Sequence, residues 1–101
     1  MKIIKIINEC IEDEMEGAEH YAKMALEYKE DYPSLARVCH EASLQELQHM
    51  DNLHGEVVKL INEYRRTEGE PPEAMMAIYN WEHEKQIDRV ARIKAMQSMY
   101  K

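Results

Sequence analysis

The segment Glu46-Leu47-Gln48-His49 places a carboxylate and an imidazole three positions apart, a spacing that puts both side chains on one face of a helix. The rest of that helical row is mostly apolar, with Leu35, Val38, Ala42, Leu53, Val57, Leu60 and Tyr64. An unpaired carboxylate on such a face is costly, and a metal ion bound by the carboxylate and by a neutral imidazole nitrogen would remove that cost. The pattern therefore predicts half of a carboxylate-rich metal site. The alternative is a Glu46–His49 hydrogen-bonded pair that serves structure alone.

The elements that position this motif follow from two clusters of helix-breaking residues, at 31–34 and 67–72. The helices predicted on either side of these breaks cover about residues 2–29, 33–66 and 72–100. Prolines at 33, 71 and 72 fit first turns, and Gly69 fits a C-terminal cap. Eight Met, no Phe and only three Gly and three Pro suit helices better than a sheet. The predicted fold class is all-α, a chain of three helices.

Helices one and two are joined by a short turn, so they should form an antiparallel hairpin whose midpoints lie at similar heights. The middle of helix one is acidic, and helical phase favours Glu14 over Glu16 as a ligand. The row that contains Glu14 is mostly apolar, with Ile3, Ile7, Cys10, Gly17, Tyr21, Met24 and Tyr28. A second apolar row lies beside it, with Ile4, Ile7, Ile11, Met15, Ala18, Ala22 and Ala25. Because the two apolar rows are adjacent, helical phase allows Glu14 to lie either at the centre of the buried face or at its flank.

The composition sets limits on domain organisation and on partners. A chain of 101 residues is one domain at most, with a hairpin and metal half-site at 1–66 and a linker and third helix at 67–101. Such a small core favours a homo-oligomer, at least a dimer. The formal charge of −7 disfavours nucleic acid as a partner. No apolar stretch is long enough for a membrane, and no leader is evident, so a soluble cytoplasmic protein is expected. Cys10 and Cys39 are expected to be reduced core thiols.

The first two helices resemble the ferritin-like superfamily over roughly residues 7–61. The resemblance is carried by Glu14, by Tyr21 in the same helix, and by the Glu46-x-x-His49 motif of the second helix. It implies that Glu14, Glu46 and His49 are metal ligands and catalytic residues, and that Tyr21 orients the ligands. It also implies a di-iron cofactor, with manganese or zinc as alternatives.

A complete ferritin repeats this hairpin within one chain, whereas this chain has a single copy. Its layout is similar to that of the encapsulated ferritins, short chains in which two subunits unite two half-sites and complete a four-helix bundle. That similarity assigns Glu16, with Asp13, to metal uptake, and adds a protein shell as a partner. Helix three is longer than expected for this group, and it offers Glu82 as a further metal ligand. The phase of helix three leaves open whether Glu82 or His83 faces inward.

The resemblance implies oxidation of Fe(II) to Fe(III), for iron storage or detoxification, at a site shared between subunits. A rubrerythrin-like peroxidase is disfavoured because the chain has no Cys-x-x-Cys pair for electron delivery. The alternative, from a different class, is a non-enzymatic helical oligomer or adaptor with a structural or vestigial metal site.

Overall fold

The computed structural model describes all residues from Met1 to Lys101 and contains three α-helices and no strand. The helices are α1 at Lys2–Glu27, α2 at Pro33–Glu68 and α3 at Glu73–Met99. The all-α prediction and the three-helix division are confirmed. Pro33 is the first residue of α2. Proline is tolerated there because a backbone N–H in the first turn of a helix has no acceptor within the helix. Gly69 ends α2 with φ of 91°, a conformation that favours glycine. Pro72 precedes α3 instead of lying in its first turn.

The helices lie roughly along one axis, so the protein is a rod with extents of 56 × 18 × 17 Å. A helix rises about 1.5 Å per residue, so the 36 residues of α2 alone account for that length. Helices α1 and α2 pack against each other along most of α1. The five-residue connection between the helices, residues 28–32, forces this antiparallel hairpin and places the middle of α1 opposite the middle of α2.

The buried core uses the second apolar row of α1, the one that does not contain Glu14. The buried hydrophobic residues of the hairpin are Ile4, Ile11, Met15, Ala18, Ala22, Ala25, Ala36, Cys39, Leu47, Met50, Val57 and Ile61. In the row that carries Glu46 and His49, the first part lies outside the core, since Leu35 and Val38 are 44% and 57% exposed, whereas Val57 at the other end is fully buried. Glu14 and Glu46 are only partly buried, at 26% side-chain exposure each, and His49 is 54% exposed. For Glu14 this is the flank position, one of the two that helical phase allowed. All three residues occupy the edge of the hairpin.

The reason is the position of α3, which packs on the other side of the hairpin. Arg89 on α3 lies 3.5 Å from a carboxylate oxygen of Glu12 and 3.6 Å from one of Glu19 on α1. Deeper in the bundle, Nε2 of Gln97 donates to Oγ of Ser43 at 2.8 Å, and that hydroxyl donates to the carbonyl of Ala18 at 2.7 Å. This buried chain of hydrogen bonds joins all three helices. Because α3 packs on this side of the hairpin, the opposite face of the hairpin is uncovered.

Two expectations from composition can be compared with the structure. None of the three helices combines the length and the apolar character needed to cross a membrane.

Both cysteines are free, as expected, but only Cys39 is a core thiol, since Cys10 is exposed. Cys10 belongs to the same row of α1 as Glu14, and that row lies on the uncovered face. The core assignment of Cys10 was wrong, because the adjacent row of α1 is the buried one.

Candidate metal centre

The hairpin brings together the three residues predicted as metal ligands. Glu14, Glu46 and His49 each offer a ligand atom, and these atoms all lie within 4.8 Å of one another. Nδ1 of His49 lies 3.3 Å from Oε2 of Glu14 and 3.9 Å from Oε1 of Glu46. No other group of three or more carboxylate, imidazole or thiol side chains is so close in this chain. Helix α1 supplies one donor and α2 supplies two, so the cluster exists only when the hairpin is closed.

The cluster lies on the uncovered face, where solvent can reach it. The carboxylate side chains of Glu14 and Glu46 are each 26% exposed, and the imidazole of His49 is 54% exposed. The carboxylates are therefore partly desolvated, while His49 forms the outer rim. An ion arriving from solution would meet His49 first and then the carboxylates beneath it.

The two carboxylates influence each other's charge. The pKa of Glu46 is raised, chiefly by a hydrogen bond with Glu14, further by burial and by the negative charge of Glu14, and is opposed by His49. Two carboxylates this close are stable together only if a proton or a cation lies between them. A metal ion would take the place of that proton, so the electrostatics of the cluster favour cation binding.

The donor set fits iron. Two carboxylates and one imidazole form an oxygen-rich group, which suits iron or manganese better than metals that prefer thiolates. The nitrogen of His49 nearest the carboxylates is Nδ1, and the neutral imidazole would bind an ion through whichever nitrogen is unprotonated. Three donors from one chain leave coordination positions for solvent, for substrate or for a second chain. The ligands present are consistent with a half-site.

A residue that the sequence did not single out for the site is Gly17, in the middle of α1. A Cβ atom at Gly17 would lie 2.8 Å from Oε2 and 3.4 Å from Cδ of Glu46. The carboxylate of Glu46 therefore rests against the backbone of α1, one turn after Glu14. A glycine inside a helix costs about 1 kcal/mol relative to alanine, but Gly55, which also lies inside a helix, meets nothing within 4 Å, so the sequence alone does not distinguish Gly17.

The auxiliary residues predicted on α1 do not belong to the three-residue cluster. Tyr21 is half-buried, its ring centroid lies 5.7 Å from that of His20, and its hydroxyl makes no hydrogen bond to the three ligands. Glu16 and Asp13 are exposed on α1. Ligand orientation by Tyr21 and metal uptake through the two acids stay predictions.

The candidates on α3 lie apart from the cluster. Glu82 lies 3.9 Å from Nζ of Lys85 and does not belong to the three-residue group. Because α3 covers the other side of the hairpin, a ligand role for Glu82 would require another chain and stays a prediction. His83 faces inward and stacks on His54, with ring centroids 4.6 Å apart.

His54 is partly buried on α2, where its ring contacts that of His83 on α3. Nε2 of His54 lies 3.3 Å from the hydroxyl of Tyr79, and burial raises the pKa of that hydroxyl, which keeps it protonated as a donor. The pKa of His54 is lowered, mainly by burial and further by His83, with Asp51 acting in the opposite direction. The pair is an aromatic contact between α2 and α3, and its burial disfavours the charged form of His54.

Comparisons of the chain with family models, with curated proteins and with solved structures each find no match. The functional interpretation consequently depends on the geometry of the three-residue cluster and on the face that carries it. The cluster is a group of three side chains that could hold a metal ion at the edge of the hairpin.

Proposed function

We propose that this chain is a ferritin-like protein that oxidises Fe(II) to Fe(III), in iron storage or detoxification, at a di-iron site shared between two subunits. The observation that carries the proposal is the convergence of Glu14, Glu46 and His49 on the uncovered face of the hairpin. A carboxylate from one helix and a Glu-x-x-His from its antiparallel neighbour form half of a two-metal carboxylate site.

The uncovered face supports a second copy of the chain as the partner. It carries exposed apolar side chains, among them Ile3 at 46%, Leu35 at 44% and Val38 at 57% exposure. Apolar side chains around a polar cluster are typical of a surface that another subunit covers. In a two-fold dimer each hairpin would present the same face, so two half-sites would meet in a four-helix bundle with α3 on the outside.

The residues of the chain have distinct tasks in this proposal. Ionised Glu14 and Glu46 bind the substrate ions and neutralise their charge, and the neutral imidazole of His49 adds a nitrogen donor. The exposed acids Asp13 and Glu16 attract cations toward α1. Two ferrous ions bound at such a site would each give one electron to dioxygen or peroxide, which would be reduced by two electrons as both ions become Fe(III). The apolar surroundings would exclude bulk water once the second subunit is in place.

The experiment that tests the proposal is anaerobic loading with Fe(II), followed by exposure to air and measurement of ferric absorbance. Glu46→Ala and His49→Ala remove ligands, and we expect both to abolish rapid oxidation. Glu56→Ala and His20→Ala are matched controls, because Glu56 and His20 are exposed and lie outside the cluster. We expect a stoichiometry near two irons per dimer, with the dimer measured by sedimentation.

Two results would contradict the proposal in different ways. Iron binding without oxidation above background would leave a structural metal site, as expected of a helical oligomer or adaptor. Oxidation that persists in both ligand variants at the rate of the two controls would show that the chemistry occurs elsewhere.

A further inference from the structure

The carboxylate of Glu46 occupies a notch in α1 that exists only because residue 17 has no side chain. The three heavy atoms nearest to a Cβ built at Gly17 all belong to Glu46, namely Oε2 at 2.8 Å, Cδ at 3.4 Å and Cγ at 3.6 Å. Real Cβ atoms essentially never approach another heavy atom to less than 3.0 Å. Any larger residue at position 17 would therefore move the carboxylate.

A side chain at position 17 would displace the carboxylate of Glu46 and would leave the packing of the helices unchanged. The atom in closest approach is the end of a flexible side chain, so it can move at small cost to the packing. That oxygen belongs to the carboxylate of Glu46, one of the three side chains that each offer a ligand atom within 4.8 Å of the others, and the second oxygen of this carboxylate, Oε1, lies 3.9 Å from Nδ1 of His49. A shift of the Glu46 carboxylate away from α1 changes its position relative to Glu14, which lies one turn earlier on the same helix.

We infer that Gly17 is a positioning residue of the metal centre, which holds the Glu46 carboxylate against α1 and beside Glu14 in the arrangement that binds metal. This inference rests on the proposed function, because it assigns Gly17 a role in the same site. Gly17 touches no ion itself. It acts through Glu46, in the way that residues behind a ligand set the orientation of that ligand.

The chain offers a matched control for the substitution. Gly55 also lies inside a helix, and a Cβ built there meets nothing within 4 Å. Replacing either glycine by alanine improves helix propensity equally, so the two variants differ in the contact with Glu46. The comparison of Gly17→Ala with Gly55→Ala therefore isolates that contact from general effects of the substitution.

The experiment measures the affinity for Fe(II) by anaerobic titration calorimetry, together with the melting temperature of the metal-free protein. We expect Gly17→Ala to weaken Fe(II) binding by about 10-fold to 100-fold, the usual effect of disturbing the support of a ligand. We expect Gly55→Ala to bind as the wild type does. Both metal-free variants should melt at or above the temperature of the wild type.

The possible results distinguish a failure of the role assigned to Gly17 from a failure of the proposed function. If the wild type binds Fe(II) and Gly17→Ala binds equally well, the inference is overturned while the metal site stands. If the wild type does not bind Fe(II), the proposed function fails first, independently of Gly17. If Gly17→Ala and Gly55→Ala weaken binding equally, the effect belongs to helix stiffness, and the role of Gly17 is again overturned.

A double variant covers the case in which Gly17→Ala does not fold. Glu46→Ala removes every atom that the three closest contacts involve, so Gly17→Ala combined with Glu46→Ala should fold like Glu46→Ala alone. Recovery of the melting transition in the double variant would support the assigned contact. An unfolded double variant would show that residue 17 packs against something else and would overturn the inference.

Discussion

Nδ1 of His49 on α2 lies 3.3 Å from Oε2 of Glu14 on α1, although the two residues are 35 positions apart in the chain. Local helical structure cannot create this contact, since it requires the hairpin to close with the middle of one helix opposite the middle of the other. Anything that binds both side chains at once therefore stabilises the hairpin. Metal binding and folding of the two helices should be linked.

That linkage predicts a metal-dependent stability. An ion that binds only the folded chain stabilises it by about 2.7 kcal/mol at a free concentration 100 times its dissociation constant. For a domain of this size, that corresponds to a rise of about 10–20 °C in melting temperature. We expect Fe(II) or Mn(II) to produce such a rise, and a chelator to reverse it, in anaerobic calorimetric scans. An equal rise in His49→Ala would show that the ions stabilise the chain from another site.

The proximity of the two carboxylates predicts that Glu46→Gln is well tolerated without metal. The amide removes the negative charge that faces Glu14 while keeping the shape of the side chain. We expect the metal-free variant to be as stable as the wild type, or more stable by up to about 1 kcal/mol, the scale of partly exposed ion pairs. Urea denaturation measures the difference. Glu56→Gln, which changes an exposed acid paired with Lys59, is the control and should not gain stability.

In the presence of metal the order of stability should reverse, so that the wild type is more stable than Glu46→Gln. The wild type and Glu56→Gln should be stabilised by Mn(II), whereas Glu46→Gln should respond weakly. A Glu46→Gln variant that loses more than about 2 kcal/mol without metal would contradict the repulsion argument, because that loss indicates a buried partner for the carboxylate.

The stacked pair of His54 and His83 predicts a loss of stability in acid. The folded-state pKa of His54 is lowered from 6.5, mainly by burial, so the unfolded chain binds its proton more readily than the folded chain. The free energy of unfolding should therefore fall as pH decreases through about 6.5 toward the folded-state pKa, and should be independent of this group at higher pH. The expected direction is weaker docking of α3 in mild acid.

Urea denaturation of wild type and His54→Asn between about pH 5 and pH 7.5 tests this expectation. The variant should show a smaller dependence on pH, and the difference between the two proteins isolates His54 from other titrating groups. His20→Asn, at an exposed position of α1, should keep the wild-type dependence. A wild-type slope retained in His54→Asn would assign the acid sensitivity to another group.

The buried hydrogen bonds through Ser43 predict a large effect from a small change. In Ser43→Ala, Nε2 of Gln97 loses its acceptor inside the core, and an unsatisfied buried donor costs about 1–3 kcal/mol. We expect a lower urea midpoint. Combining Ser43→Ala with Gln97→Leu should recover part of the loss, because both polar partners are then absent. Ser98→Ala, whose hydroxyl bonds to Ala95 at an exposed site, should change the midpoint very little.

Much of the fold could be predicted from local chemistry. Prolines and a glycine interrupt an otherwise helical chain, and the three helices begin and end within two residues of the positions expected from those breaks. Glu14, Glu46 and His49 were found by combining helical phase with the short turn of the hairpin. What phase could not decide was which of two adjacent apolar rows of α1 would be buried, since both were equally regular.

The third helix shows the limit of periodicity most clearly. Its apolar residues are spread around the helix, and Ile78, Trp81 and Ile87 remain exposed at 65%, 58% and 54%. No single face could be chosen from the sequence, so the inward position of His83 was left open. The contact with His54 and the salt bridges of Arg89 with α1 decide it.

The sequence by itself determined the helices, their breaks and three side chains whose types could hold a metal ion, because these depend on local conformation, on spacing along each helix and on the short turn between two helices. Only the tertiary structure decided that the ligands lie on the uncovered edge of the hairpin and that Gly17 makes room for Glu46. Those features depend on which side of the hairpin α3 covers and on how closely two backbones approach. Periodicity gives the angle of a side chain around its own helix, but it does not identify the neighbour that the side chain will meet.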